Sequence, residues 1–394
     1  MQADFTEIMD CMRRAEAGET LVIGFFGGSI TQGSLASSPE KCYAALVFKW
    51  WQKTFPQADL HYVNAGIGGT DSLYGVSRVV TDMLMYQPDF VMVDFSVNDE
   101  PDDFYQETYE GLIRRMLTWP SHPAVMLLHN IYYDSGKTAE DRHGAVGDYY
   151  RLPRVSIRDT VYRRMKSGEI AIHDISPDGL HPNDRGHQLV ADEVIRLLEA
   201  IYGSMENKAT ASDHRRMPYG NTDDFNLNPP VTAYVYERTK PGYADDFNLQ
   251  PPVTANAYEK AKRLTIRNTL PVLSGFIADP REKCGHLDAF RNGWIGRKPA
   301  DAIRFEVTAS CIAVQYRRTV RLPARRAVLI LDEDDTRPIL LDGNFDESWG
   351  DCQAVASILH HGQRKNHTVE IRVTAEENET KDYTPFYLMS LIVA

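Results

Sequence analysis

The stretch TLVIGFFGGSITQG, residues 20–33, decides how this chain is read. An apolar run from Leu21 to Phe26 ends in the glycine pair Gly27-Gly28, which delivers Ser29 at the start of a polar turn closed by Gly33. A run that is apolar without alternation is a strand buried on both faces. Glycines at 27, 28 and 33 let the backbone turn sharply and leave room beside a hydroxyl. Either the glycines only make a tight turn, or they expose Ser29 for chemistry.

Working outward, comparable apolar runs recur at 60–64, 89–95, 124–129 and 170–173. Helix-like segments lie near 3–17, 42–54, 72–86, 104–118, 148–167 and 183–202. Strand and helix alternating in this way predict an α/β domain over 1–203, with a central parallel sheet covered by helices on both sides. Functional loops in such a domain leave the carboxyl ends of the strands.

The texture changes near residue 203. Residues 204–263 are polar and proline-rich, and TDDFNLNPPVTAYVYE (222–237) recurs as ADDFNLQPPVTANAYE (244–259). Two copies are too few for a solenoid, and Pro-Pro favours extended backbone. This is read as an extended connector along a domain surface, with a lid or a homodimer arm as its functional alternative. From 264 to 394 the apolar period is near two and turn clusters separate the runs, which predicts an all-β, jelly-roll-like sandwich.

The bulk numbers bound the function. At 394 residues, two domains are expected. The net charge of −12 argues against nucleic acid or an anionic membrane as partner. The first 20 residues are charged and lack the apolar core of a secretory signal, and no run reaches the roughly 18 apolar residues of a membrane span. A cytoplasmic protein is expected. Cys11, Cys42, Cys284, Cys311 and Cys352 are scattered with no CxxC pair, so they are read as buried free thiols and no metal site is expected.

A serine at neutral pH is a poor nucleophile unless a base takes its proton. The segment SPDGLHPNDRGH (176–187) supplies one. Asp178 three residues before His181 can fold back onto one imidazole nitrogen, fixing the tautomer and freeing the other nitrogen as general base. Asp174 is a competing acid with poorer spacing, Asn183 or Asp184 would cap the next helix, and His187 is read as a packing residue. Donors for an oxyanion are offered by the glycine-rich turn NAGIGGTDS (64–72) and by Asn98 in FSVNDEP (95–101). Each such donor is typically worth about 2.7–4 kcal/mol in the transition state.

In this order the four blocks resemble the SGNH/GDSL hydrolase superfamily over roughly residues 18–202. The family's Gly-Asp-Ser-Leu reads Gly27-Gly28-Ser29-Ile30 here, and its Gly-x-Asn-Asp reads Ser96-Val97-Asn98-Asp99 with the leading glycine replaced. Its Asp-x-x-His is Asp178-Gly179-Leu180-His181. The resemblance implies an SGNH-type three-layer fold, Ser29 as nucleophile, and Ser29, Asp178 and His181 as a triad. It implies an oxyanion hole of the Ser29 N–H, the Gly69 N–H and Asn98, with Gly68 the neighbouring candidate for the glycine. No metal or organic cofactor is implied.

An SGNH domain followed by a β-sandwich is similar to bacterial acetyl esterases that deacetylate plant polysaccharides such as mannan and xylan. An acetylated oligosaccharide is therefore the expected substrate. Trp294, Trp349, Tyr383 and Phe386 are candidate sugar-stacking aromatics. Trp349, in the polar turn NFDESWGD, is expected to overhang the serine site, with a role in the sandwich core or domain interface as the alternative. The rival functions are a thioesterase or lysophospholipase of the same fold, with an apolar groove at Trp50 and Trp51, and a non-catalytic carbohydrate-binding protein.

Overall fold

The computed structural model describes residues 3–206, 249–376, 378–379 and 382–394. The chain divides into two units, Met1–Asn256 and Ala257–Ala394. In chain order the first carries α1 (Thr6–Glu16), β1 (Thr20–Gly27), α2 (Ser29–Gln32), α3 (Tyr43–Thr54), β2 (Asp59–Gly66), α4 (Ser72–Asp82) and β3 (Phe90–Asp94). It continues with α5 (Asp103–Leu117), β4 (Ala124–His129), α6 (Glu140–Tyr149), β5 (Arg154–Ser156), α7 (Arg163–Lys166), α8 (Ile172–Ile175) and α9 (Asp184–Glu206).

The sheet is parallel, in the order β2-β1-β3-β4-β5. Its interior strand β1, paired with β2 and β3, explains the unbroken apolar run of the opening stretch. Leu21, Ile23 and Phe25 point into a core with Met12 of α1, Val47 and Trp51 of α3 and Val194 and Leu198 of α9. On the other face Phe26 meets Phe95 and lies 4.2 Å beneath the guanidinium of Arg78, which α4 contributes. Both faces are covered, so no polar alternation is needed.

The sequence misplaced the fifth strand. Residues 170–173 do not form one: Ile170 is buried, and Ile172–Ile175 is a single helical turn. The edge strand is Arg154–Ser156, inside a stretch expected to be helical. It is three residues long and opens directly after Pro153, so too few positions carry a strand period.

The first copy of the duplicated segment lies outside the described residues, as does the start of the second. Residues 250–254 of the second copy lie along α5 and α6. Arg114 donates to the Gln250 carbonyl at 2.7 Å and the Tyr149 hydroxyl to the Pro251 carbonyl at 2.8 Å. The buried Glu110 carboxylate accepts the N–H groups of Val253 and Thr254 at 2.7 and 2.8 Å.

The second unit is all β, with β6 (Lys262–Leu264), β7 (Val272–Ser274), β8 (Ile277–Ala278), β9 (Trp294–Gly296), β10 (Ala302–Ala309) and β11 (Ile312–Arg318). They are followed by β12 (Arg326–Leu331), β13 (Ile339–Asp342), β14 (Cys352–Leu359), β15 (Lys365–Val373) and β16 (Phe386–Val393). Two antiparallel sheets, β13-β12-β15-β10-β7 and β14-β11-β16-β9-β8, share one core, and β6 adds to β16. Ile303, Phe305 and Val307 of β10 are buried at alternate positions, which is the period-two pattern of the sequence made physical.

Two of the aromatic candidates are removed by this core. Trp294 and Phe386 are buried in it, because each occupies an inward position of its strand, and cannot present a face to a sugar. The cysteines also differ from expectation. Cys11, Cys42 and Cys311 are buried and Cys352 is half-buried, but Cys284 is exposed in a loop with no strand to turn it inward. Among the described residues no helix is long and apolar enough to cross a membrane.

Candidate active site

The carboxyl end of β1 builds the site. After Gly27 the backbone breaks at Gly28, and α2 starts with Ser29 at its first position. A side chain at Gly28 would collide with Asn98, since a Cβ there would sit 2.2 Å from Asn98 Oδ1. The absent Cβ thus lets the Asn98 amide lie directly against the nucleophile turn. Gly33, at φ 98°, closes the short helix in the left-handed region that glycine adopts without strain.

Asp178 and His181 stand in the loop between α8 and α9. Asp178 Oδ1 accepts the N–H groups of Leu180 and His181 at 2.9 and 2.7 Å, which folds the loop back on itself. Its Oδ2 lies 2.7 Å from His181 Nδ1, and His181 Nε2 lies 2.9 Å from Ser29 Oγ. The carboxylate only accepts, so Nδ1 carries the proton and Nε2 is free to take one from Ser29. Partial burial raises the Asp178 pKa, but the hydrogen bonds from His181 and the two backbone N–H groups outweigh it and hold the carboxyl below its ordinary range. Ser29 itself is buried.

The neighbours fall where the sequence put them. Asp174 turns away to Arg185 at 2.9 Å and does not compete for His181. Asn183 Oδ1 caps α9 by accepting the Gly186 N–H at 3.1 Å. His187 packs inside α9, where its Nδ1 accepts the Tyr43 N–H at 3.2 Å, and burial lowers its pKa to about 4. Trp50 and Trp51 of α3 are buried in the core.

The two adjacent glycines are told apart by a residue the sequence did not flag. Gln32 Oε1 accepts the Gly68 N–H at 2.6 Å. That engages the Gly68 N–H, while Gly69 beside it stands at φ 66°. Beneath Ser29 a buried polar cluster anchors α2. Thr31 Oγ1 is 2.8 Å from the Tyr43 hydroxyl and donates to Asp94 at 3.3 Å, and Asn130 donates to the same Asp94 oxygen at 2.9 Å. Burial drives the Asp94 carboxyl up to about 7, against the hydrogen bonds that oppose it.

Trp349 lies in the second unit with its ring 64% exposed, edge-on to Phe345 at 5.0 Å. It is no part of the sandwich core. Tyr383 is half-buried under the Arg325 guanidinium at 4.4 Å.

Residues 25–189 match the GDSL-like Lipase/Acylhydrolase family. The crystal structure of a two-domain esterase (CEX) active on acetylated mannans, co-crystallised with mannopentaose, is 40% identical, with 100% of this chain and 95% of that one covered and a TM-score of 0.86. The chain belongs to the GDSL hydrolase family. A second crystal structure of a two-domain esterase active on acetylated mannans is 42% identical, covering 99% and 95% of the two chains with a TM-score of 0.85. Thioesterase 1/protease 1/lysophospholipase L1 of Escherichia coli (strain K12) is 26% identical over 192 residues, which are 48% of this chain and 87% of the relative.

Sequence reasoning about this GDSL hydrolase missed Gln32 and undervalued Asp99. Nothing in the motif marks Gln32, whose contact is made across 36 residues. Asp99 had a signal, since it directly follows Asn98. Its buried carboxylate accepts the Ser72 N–H at 2.8 Å, and burial pushes its pKa up to about 8.

Proposed function

We propose that this chain is a serine esterase that removes O-acetyl groups from plant-type oligo- or polysaccharides through an acetyl-enzyme. The observation that carries the reading is the unbroken line Asp178–His181–Ser29, with links of 2.7 and 2.9 Å. His181 Nε2 takes the Ser29 proton as Oγ attacks the ester carbonyl. The Ser29 N–H, the Gly69 N–H and the Asn98 amide hold the oxyanion. As the tetrahedral species collapses, the C–O bond to the sugar breaks and the sugar oxygen leaves with the proton from His181. Water, deprotonated by His181, then attacks the acetyl-serine; acetate departs and Oγ regains its proton.

The sugar class rests on the 40% identity, over nearly the whole of both chains, to an esterase active on acetylated mannans. The exposed Trp349 ring is consistent with a sugar platform on the sandwich. The relationship to the Escherichia coli thioesterase/lysophospholipase favours a second reading, hydrolysis of a thioester or lysolipid by the same triad. Cytoplasmic residence and a homodimer belong to the proposal too, and are tested by cell fractionation and light scattering.

The deciding experiment is acetate release from acetylated mannan, xylan and cello-oligosaccharides, with Ser29→Ala beside the unmutated protein. Release that differs among glycans and vanishes in the variant supports the proposal. Cleavage of small acetates without glycan release keeps Ser29 but moves the substrate to a lipid or thioester. Release that survives the substitution overturns the mechanism, and glycan binding with no turnover at all leaves a binding protein.

A further inference from the structure

The two loops that would supply oxyanion donors meet on one buried carboxylate. Asp99 is the chain neighbour of Asn98, and its Oδ1 accepts the N–H of Ser72, which opens α4 three residues beyond Gly69. Its Oδ2 lies 2.9 Å from Nε2 of His143, on α6. The side chains of Asp99 and His143 are both fully buried. His143 in turn stacks face to face on Tyr109 of α5, with centroids 3.7 Å apart and planes within 3°. Next to it Ser72 Oγ and Thr108 Oγ1 are 2.6 Å apart, which fastens the start of α4 to α5.

A buried acid–imidazole pair is a poor source of net stability, because two groups must be stripped of water to make one contact. Apolar side chains of the same volume would pack the space between α5 and α6 at least as well. Geometry gives the pair a different task. The Asp99 carboxylate can tie the Ser72 N–H and the Asn98 turn together only while it is held in one orientation, and its second oxygen is held by His143.

Resting on the esterase reading above, we infer that His143 is a positioning residue. It fixes Asp99, and through that single carboxylate it sets the spacing between the Gly69 and Asn98 donors around the oxyanion. His143 touches neither substrate nor Ser29. It acts on the transition state, because an acyl ester in the ground state makes weaker demands on those donors than the tetrahedral oxyanion does.

The test uses the full chain and a small chromogenic acetate, with Ser29→Ala as the control. His143→Phe keeps a ring against Tyr109 but gives Asp99 no partner. His143→Gln gives up the ring but returns an amide near the Nε2 position that can donate to or accept from Asp99. The expected result is a fall in kcat of about 10- to 100-fold for His143→Phe, with KM within about twofold, and recovery of most of the loss in His143→Gln. Melting temperatures, measured on both, should not rank the variants as kcat does. Should His143→Phe not fold, His143→Leu takes its place in the same comparison.

Ser29-dependent turnover that is indifferent to the loss of the imidazole overturns the inference alone. So does a loss that His143→Gln fails to restore, or one that falls on KM. An unmutated protein without Ser29-dependent turnover overturns the esterase reading, and the inference with it.

Discussion

Replacing Gly28 by alanine should slow this hydrolase about a hundredfold while leaving it folded. The added Cβ would stand 2.2 Å from Asn98 Oδ1 and 3.0 Å from its Cγ. An ordinary contact requires the Asn98 amide to withdraw by about 1 Å. The atom that must yield is the end of a side chain and not backbone, and φ at Gly28 is −89°, which alanine adopts without strain, so the fold absorbs the change. The oxyanion does not. A displacement of about 1 Å in a catalytic donor costs about 10² in rate, or about 2.7 kcal/mol of transition-state stabilisation. Steady-state kinetics on a small chromogenic acetate should show the loss in kcat, with a melting midpoint within about 3 °C of the unmutated protein. Gly28→Ala with unchanged kcat would mean that Asn98 is not a donor in the place assigned to it.

Further outcomes are expected. Asp178→Asn retains the oxygen that accepts from Leu180 and His181, so the loop stays in place, but it presents the wrong partner to His181 Nδ1. Rapid-mixing kinetics should show kcat reduced by about 10³–10⁴ with KM little changed. Asp94 carries a folded pKa of about 7 against an ordinary value of 3.8, so its stability contribution is present at low pH and lost as pH rises through that window. Urea unfolding should therefore show Asp94→Asn gaining stability on the unmutated protein from pH 4 to pH 7, by on the order of 3 kcal/mol. The buried His143 and His187, lowered to about 3 and about 4, act in the opposite sense in both proteins and cancel in the difference. A constant gap across that range would show that Asp94 is ionised throughout. Trp349→Ala should raise KM on acetylated oligosaccharides about 2- to 10-fold and spare a small chromogenic acetate; equal loss on both removes the platform reading.

Some of this was legible because the information is local. The continuous apolar run of β1 needs only its own residues to say that both its faces are covered, and the alternation of β10 says the same of one face. Asp178 and His181 announce each other across three positions. Ser29 and His181 could be matched at long range only because each sits in a block of recognisable residue types. His143 had no such block. It reaches Asp99 across 44 residues, from a helix whose expected bounds were wrong, and a lone histidine states no partner. Gln32 failed for the same reason. Trp294 and Trp349 look alike as letters, yet one lies on an inward strand position and the other in an exposed turn, and only register separates them. Arg154–Ser156 was too short to show a period at all.

The separation of 152 positions between Ser29 and His181 also sets an order of synthesis. A ribosome adding about 5–20 residues per second makes the serine about 8–30 s before the histidine that activates it. On the proposed mechanism, a truncated product ending before residue 181 keeps Ser29 and lacks its base, and is expected to show no Ser29-dependent turnover. The first serine-dependent turnover in a cell-free synthesis reaction is therefore expected only after the α8–α9 loop has been made.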